Sequence, residues 1–212
     1  MNVQTLDPMS EFTPDSMPGP GRAELPDGVA IVPMTEAQLD QVAAIEESSF
    51  PDPWPRRFFR EELTRSDPAY ARVAIAGGQV IGYLVAWFIL DEVHLGNLAV
   101  HSAHRRRGIG RCLVEHLIEQ AERRGASLIS LEVRAGNRAA MALYARHHFR
   151  PEGIRKGYYA GREDAVIMVR ERRRTGAPGP ADPAPAPADL SPAPEPPSDR
   201  PPGKPGSEPR ES

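Results

Sequence analysis

Two periodicities alternate along the middle of this chain. Apolar positions recur at helical spacing in Leu39, Val42, Ala43 and Ile45, again in Ile109, Leu113, Leu117, Ile118 and Ala121, and a third time in Ala140, Met141, Leu143 and Tyr144. That is the spacing of one buried helix face. Between these runs the pattern tightens to that of strands. Val29 to Pro33 predicts a short edge strand. Ala71 to Ala76 and Gln79 to Leu90 predict two longer ones, joined by Gly77-Gly78, a strong two-residue hairpin signal. A turn at Asp91-Glu92 leads into Val93 to Val100, and Ser127 to Val133 and Ala165 to Val169 are further strands.

Punctuation residues agree with these elements. Thr35 followed by Gln38 makes a capping box, Gly125 is a C-cap after the long helix, and Asn137 opens the next helix. Phe50-Pro51-Asp52-Pro53-Trp54-Pro55 breaks the first helix, and Phe58, Phe59, Glu62 and Leu63 suggest a second, short one. Phe50 and Trp54 either wall a substrate cleft or pack on the core, and core packing is the preferred reading of Trp54. The order is two helices, a β meander, then βαβαβ with a closing strand. It predicts a single α/β domain whose mixed, mostly antiparallel sheet is flanked by helices.

Composition places the ends outside that domain. Of 24 prolines in 212 residues, 13 fall between Arg172 and Ser212, where Leu190 is the one large aliphatic residue. Each proline fixes φ and removes a donor, so this tail is expected to be disordered. Residues 1–28 hold five prolines and no apolar periodicity. They are expected to form a disordered extension and lack the apolar core of a signal peptide; Met9, Met17 and Met34 leave the translation start open. The expected division is therefore 1–28 extension, 29–171 domain, 172–212 tail.

Charge narrows the function. The net charge of −3 conceals a near-neutral domain, with 18 acidic and 19 basic residues across 29–171. There is no general nucleic-acid signal, and no run is apolar enough to span a bilayer. Cys112 is the single cysteine, so no disulfide framework exists and a reducing cytoplasm is expected; a packing thiol is its preferred reading. The six histidines form no set at metal-ligand spacing and read as surface residues, so no metal is expected.

Basicity is local, at Arg105-Arg106-Arg107, and the residues on either side give it meaning. Leu98-Ala99-Val100 ends a strand; Gly108-Ile109-Gly110 then opens a helix. The glycines allow positive φ and close approach of a ligand, and the first turn of a helix offers unpaired N–H groups, so the loop suits a phosphate. No Gly-Lys-Ser/Thr ending is present, which argues against a nucleoside-triphosphate loop, and the antiparallel meander before it argues against a dinucleotide fold.

Arg105-Arg106-Arg107-Gly108-Ile109-Gly110 resembles the Arg/Gln-x-x-Gly-x-Gly/Ala loop of the GCN5-related N-acetyltransferases. Asn97-Leu98-Ala99-Val100 before it, Leu131-Glu132-Val133-Arg134-Ala135-Gly136-Asn137, Ala142-Leu143-Tyr144, Gly157-Tyr158-Tyr159 and Gly161-Arg162-Glu163-Asp164-Ala165 extend the resemblance to the bacterial ribosomal-protein-alanine N-acetyltransferases. It covers about 29–171. The resemblance implies acetyl-CoA as co-substrate and a protein N-terminal alanine, usually of a small-subunit ribosomal protein, as acceptor. It implies that the backbone of Leu98, Ala99 and Val100 pairs with the pantetheine arm. It further implies that Arg105, Arg106, Arg107, Gly108, Ile109, Gly110 and Arg111 form the pyrophosphate loop, and that Asn137 contacts the coenzyme. Glu132 matches the general base and Tyr144 the general acid. Two departures stand out: a single Ala160 separates Tyr159 from Gly161, and His147-His148 stands where Leu-Gly is common.

Acetyl transfer to an amine requires a proton acceptor, a donor for the oxyanion and a proton for the departing thiolate. Glu132, a backbone N–H at the end of the Leu98–Val100 strand and Tyr144 are the candidates in turn, although a strand glutamate by itself suits a solvated face and a helix tyrosine the core. Tyr158, Tyr159 and Glu163 are candidates for holding the acceptor peptide. The alternatives are the same chemistry on another N-terminus, a lysine or a small amine, and a silent acyl-CoA-binding module. Deleting 172–212 is expected to leave acetyl transfer intact when CoA release is measured; its collapse would make the tail part of the fold.

Overall fold

The computed structural model describes residues 25–65 and 69–172. Most of the expected N-terminal extension and nearly all of the Pro-rich tail lie outside the described residues. Seven strands, β1 (Val29–Pro33), β2 (Tyr70–Ala76), β3 (Gln79–Ile89), β4 (Glu92–Val100), β5 (Leu128–Arg134), β6 (Arg150–Tyr159) and β7 (Glu163–Glu171), form one sheet in the order β1-β2-β3-β4-β5-β7-β6. The β4–β5 pair is parallel and the others are antiparallel. Helices α1 (Leu39–Ser49) and α2 (Arg56–Thr64) precede β2, α3 (Ile109–Arg123) joins β4 to β5, and α4 (Arg138–Arg146) follows β5. No helix among the described residues is long and apolar enough to cross a membrane.

Local chemistry accounts for most boundaries. Gly77 and Gly78 both take positive φ, as a tight β2–β3 hairpin demands. Thr35 N–H donates to Gln38 Oε1 at 2.7 Å, opening a 3-10 turn that leads into α1. The β3–β4 turn falls one residue earlier than Asp91-Glu92, at Leu90-Asp91, with Leu90 in the left-handed region (φ 54). The sequence pattern gives no strand a residue range between α4 and the closing strand, yet Arg150–Tyr159 is a ten-residue strand. Pro151, Gly153 and Gly157 hide its alternation, and an edge position beside β7 tolerates them.

The sheet separates two cores. One holds α3 and α4 residues such as Leu113, Leu117 and Tyr144 against Val93, Leu95, Leu131 and Val133. The other holds Leu39, Val42 and Ile45 of α1 and Phe59 of α2 against Val73, Tyr83, Val85 and Ala99. The β3–β4 register passes from Ala86↔Leu95 to Val85↔Asn97, so Gly96 is an extra residue, a β-bulge. The bulge reverses which side chains face which layer. Before it, Val93 and Leu95 pack in the α3/α4 core; beyond it, Leu98 and Val100 pack there and Ala99 packs in the α1/α2 core. A Cβ at Gly96 would stand 2.0 Å from the Trp87 ring, so only glycine leaves that ring its place.

The bulge also ends a pairing. β4 and β5 are matched from Glu92↔Leu128 to Leu95↔Leu131 and no further. Past that point the strands diverge, and the β5-facing edge of Gly96–Val100 is unpaired with β5.

Glu46 of α1 is fully buried and anchors the diverging strand. Asn97 Nδ2 donates to both of its oxygens at 3.1 Å, Trp54 N–H donates to Oε1 at 2.8 Å, and the Tyr83 hydroxyl donates to Oε2. Glu46→Ala strands three donors in a closed core and is expected to cost about 3–5 kcal/mol, read as a lower urea midpoint at unchanged m value. Burial first, then the Glu46 charge, holds the Tyr83 proton in place well above the ordinary phenol value of 10.0. An unfolded chain releases that proton near pH 10. Stability is therefore expected to hold below about pH 10 and to fall as pH rises past it, in urea titrations across that range; Tyr83→Phe lessens the fall.

Candidate active site

Where β4 leaves β5, a cavity of about 140 Å³ opens, lined from both layers. Leu98, Leu131, Leu143 and Tyr144 belong to the α3/α4 side, while Phe50, Trp54 and Trp87 belong to the α1/α2 side. The cavity is thus a slot through the sheet. Of the residues expected at a site, Glu132, Tyr144, Leu98, Asn137, Tyr158 and Tyr159 line it. Trp54 packs on the second core, as preferred, with its ring 4.7 Å from that of Phe58, and it walls the cavity as well.

Glu132 alternates out of the α3/α4 core, since its neighbours Leu131 and Val133 are buried there. Its side chain is 9% exposed. Oε2 lies 3.1 Å from His94 Nε2 and Oε1 lies 3.2 Å from Arg155 Nη1. The backbone carbonyl of Glu132 accepts from the Tyr159 hydroxyl at 3.2 Å. Tyr144 arrives from the opposite layer, on α4. Burial pushes its phenol well above the ordinary value, so it keeps its proton at any physiological pH.

Asn137 is the N-cap of α4, its Oδ1 accepting from Ala140 N–H at 3.1 Å. One side chain both starts the helix that carries Tyr144 and lines the cavity. Ala99 is buried under α1, and Val100 ends β4. The basic loop comes immediately after, outside the cavity lining. Gly108 takes positive φ (84) as expected, whereas Gly110 lies within the first turn of α3 and the second left-handed residue of the loop is Arg106 (φ 63). The amides of Ile109, Gly110 and Arg111 have no intrahelical partner by the geometry of a first turn. The three arginines are not equivalent. Arg105 donates to Val100 O and to Ser49 Oγ, both at 3.0 Å, and so ties the loop to β4 and α1. Arg106 and Arg107 are exposed, and Arg111 lies 3.9 Å from Glu115 on its own helix.

Sequence reasoning missed several residues. The histidines are not all on the surface: His116 is buried with Nε2 2.8 Å from the Tyr70 hydroxyl, and His94 bonds Glu132. The parallel partnership of His94 with Ser130 needs the sheet order, which no local pattern encodes. Arg134 is a second omission. It bridges Glu163 at 2.9 Å and Asp52 at 2.8 Å, and its guanidinium lies 4.0 Å from the Tyr159 ring centre. Glu163 also accepts from Gly136 N–H at 3.0 Å, so it serves this clamp. Cys112 is buried, and burial raises its thiol, consistent with a packing residue.

Residues 39–149 match the model of the acetyltransferase (GNAT) family. A putative [ribosomal protein bS18]-alanine N-acetyltransferase of Bacillus subtilis is 35% identical over 140 residues, spanning 66% of this chain and 93% of that protein. The [ribosomal protein bS18]-alanine N-acetyltransferase of Escherichia coli is 38% identical over 129 residues, spanning 59% of this chain and 85% of its own. The crystal structure of the ribosomal-protein-S18-alanine N-acetyltransferase from Escherichia coli superposes with a TM-score of 0.63 at 32% identity, covering 71% of this chain and 99% of that one. With a split β4–β5 pair, a glycine loop opening α3 and this breadth of match, the chain belongs to the acetyltransferase (GNAT) family.

Proposed function

We propose that this protein moves an acetyl group from acetyl-CoA to the α-amino group of a protein N-terminal alanine, that of ribosomal protein bS18. The observation that carries the reading is the slot through the sheet, which brings Glu132 from one layer and Tyr144 from the other to a single cavity. The names of the bacterial relatives support the acceptor.

The residues divide the reaction among them. Glu132 takes a proton from the bound α-ammonium, whose ordinary pKa near 8 makes the step a modest one. The freed nitrogen lone pair attacks the thioester carbonyl, and a backbone N–H on the unpaired edge of Gly96–Val100 donates to the oxyanion. Collapse of the tetrahedral adduct breaks the C–S bond; Tyr144, protonated because it is buried, gives its proton to the leaving thiolate, and the new amide nitrogen sheds its second proton, which restores the phenol, while Glu132 returns the first to solvent. The amides at the start of α3, which have no intrahelical partner, hold the pyrophosphate, with Arg106 and Arg107 adding long-range attraction and Arg105 fixing the loop. No metal takes part in this reading.

The test is intact-mass and fragment spectrometry of a bS18 N-terminal peptide incubated with the full chain and acetyl-CoA. One acetyl group on the α-nitrogen is expected; acetylation of a lysine alone, or none beside tight coenzyme binding, would overturn the acceptor. Glu132→Gln is expected to lower kcat about 100-fold or more, with the KM for acetyl-CoA within about twofold, and Tyr144→Phe to lower kcat at least about tenfold. Parent rates in either variant would remove that residue from the chemistry.

A further inference from the structure

The carboxylate of Glu132 has two cationic or potentially cationic neighbours, and they differ in kind. Arg155, from β6, keeps its charge at every working pH, so its effect on Glu132 is constant. His94, from β4, carries an imidazole, the one kind of side chain whose ordinary charge change falls between about pH 5 and 8. Its ring is held on three sides. Nε2 faces Glu132 Oε2 at 3.1 Å, Nδ1 faces Ser130 Oγ at 3.1 Å, and the ring stacks on Trp87 with centroids 5.9 Å apart and planes at 24°. Trp87 is itself fixed, donating Nε1–H to Glu62 Oε2 at 2.7 Å, and it fits against Gly96 where a Cβ is absent. The His94 side chain is 16% exposed.

An ionised carboxylate can only accept, so Nε2 carries a hydrogen and donates to it. A neutral imidazole then leaves Nδ1 to accept from the Ser130 hydroxyl. In that state His94 fixes the direction of the carboxylate and adds no net charge. On protonation the imidazolium becomes a second cation on one carboxylate, beside Arg155. Two cations stabilise the charged form and weaken its pull on an ammonium proton. The other charged groups nearby are engaged elsewhere or lie in solvent: Arg134, two residues along β5, holds Asp52 and Glu163; Glu62 stands behind Trp87; Glu92, two residues back on β4, is exposed.

We infer that His94 is a positioning residue for Glu132, aiming the carboxylate when neutral and blunting it when protonated, so that it sets the acidic limit of activity. The inference rests on the reading of Glu132 as the base. An ordinary imidazole loses its proton about two units above an ordinary carboxyl. Removing the imidazole while keeping a donor therefore moves the acidic limb of activity toward the carboxyl range.

The experiment measures kcat at saturating acetyl-CoA and alanine-terminated peptide against pH, in the full chain and in His94→Gln, His94→Leu and Glu132→Gln. Glutamine places an amide N–H near the position of Nε2 and does not titrate. His94→Gln is expected to keep the plateau kcat within about threefold while its acidic limb moves down by about one unit or more. His94→Leu, lacking the donor, is expected to lose about tenfold at the plateau, with the KM for acetyl-CoA within about twofold. Circular dichroism melts confirm that each variant is folded, and should His94→Leu fail to fold, the limb of His94→Gln decides alone. An unmoved limb in His94→Gln overturns the proposal, since a purely structural histidine lowers the plateau without moving the limb. If Glu132→Gln is nearly inactive while both His94 variants keep the parent profile, this proposal alone falls. If Glu132→Gln keeps the parent kcat, the base assignment falls and takes this proposal with it.

Discussion

Four paired positions between β4 and β5 decide the architecture. Parallel strands side by side, matched along their full length, would seal the sheet and leave two separate cores. Here the match ends at Leu95↔Leu131, where the bulge at Gly96 reverses the faces of β4. Every later feature of the site depends on that break. The β5-facing edge of Gly96–Val100 is left without a strand partner, and in the proposed reaction it is the coenzyme that takes up those backbone groups, since a buried hydrogen-bonding edge must find partners of some kind. The gap lets Glu132 on one face and Tyr144 on the other line a common space, which no unbroken sheet permits.

A break of this kind needs restraint, and the restraint is polar. Beyond the bulge Asn97 points toward α1, where Glu46 receives it together with Tyr83 and the Trp54 amide. A carboxylate in so closed a place persists because several donors share its charge. The far side of the slot is restrained by Arg134, which joins Asp52 in the α1–α2 connection to Glu163 at the start of β7. Thus a glutamate holds β4 to the α1/α2 layer, and an arginine holds the α1–α2 connection to β5 and the closing hairpin.

Local pattern made much of this legible. The α1, α3 and α4 faces, the Gly77-Gly78 hairpin and the Gly108 loop each rest on residues within one turn or one strand, and periodicity reports such features directly. Glu132 and Tyr144 were found through resemblance, because a strand glutamate and a helix tyrosine look ordinary by themselves. What escaped was non-local. His94 meets Glu132 only because β4 and β5 are parallel neighbours, and Arg134 meets Asp52 across a large separation in sequence. Strand β6 escaped for a different reason: an edge strand with Pro151 and two glycines buries too little to show a two-residue period. Gly96 was visible as a glycine, but the ring it accommodates comes from another strand.

Two of the residues expected to touch coenzyme illustrate how one side chain can serve fold and site together. Asn137 commits its Oδ1 to the first turn of α4, and the helix it starts carries Tyr144 to the cavity. Arg105 commits its guanidinium to Val100 O and Ser49, which fixes the loop relative to both β4 and α1. In the proposed reaction the pyrophosphate then meets backbone amides already held in place, and rigid amides lose little entropy on binding. A run of three arginines therefore divides its labour: the first builds the loop, and the next two, exposed to solvent, supply charge. The same double use recurs at Glu132, whose backbone carbonyl holds Tyr159 while its carboxylate faces the slot. The site is precise because the side chains that shape it are, in large part, the ones that cap, tie and cross-link its frame.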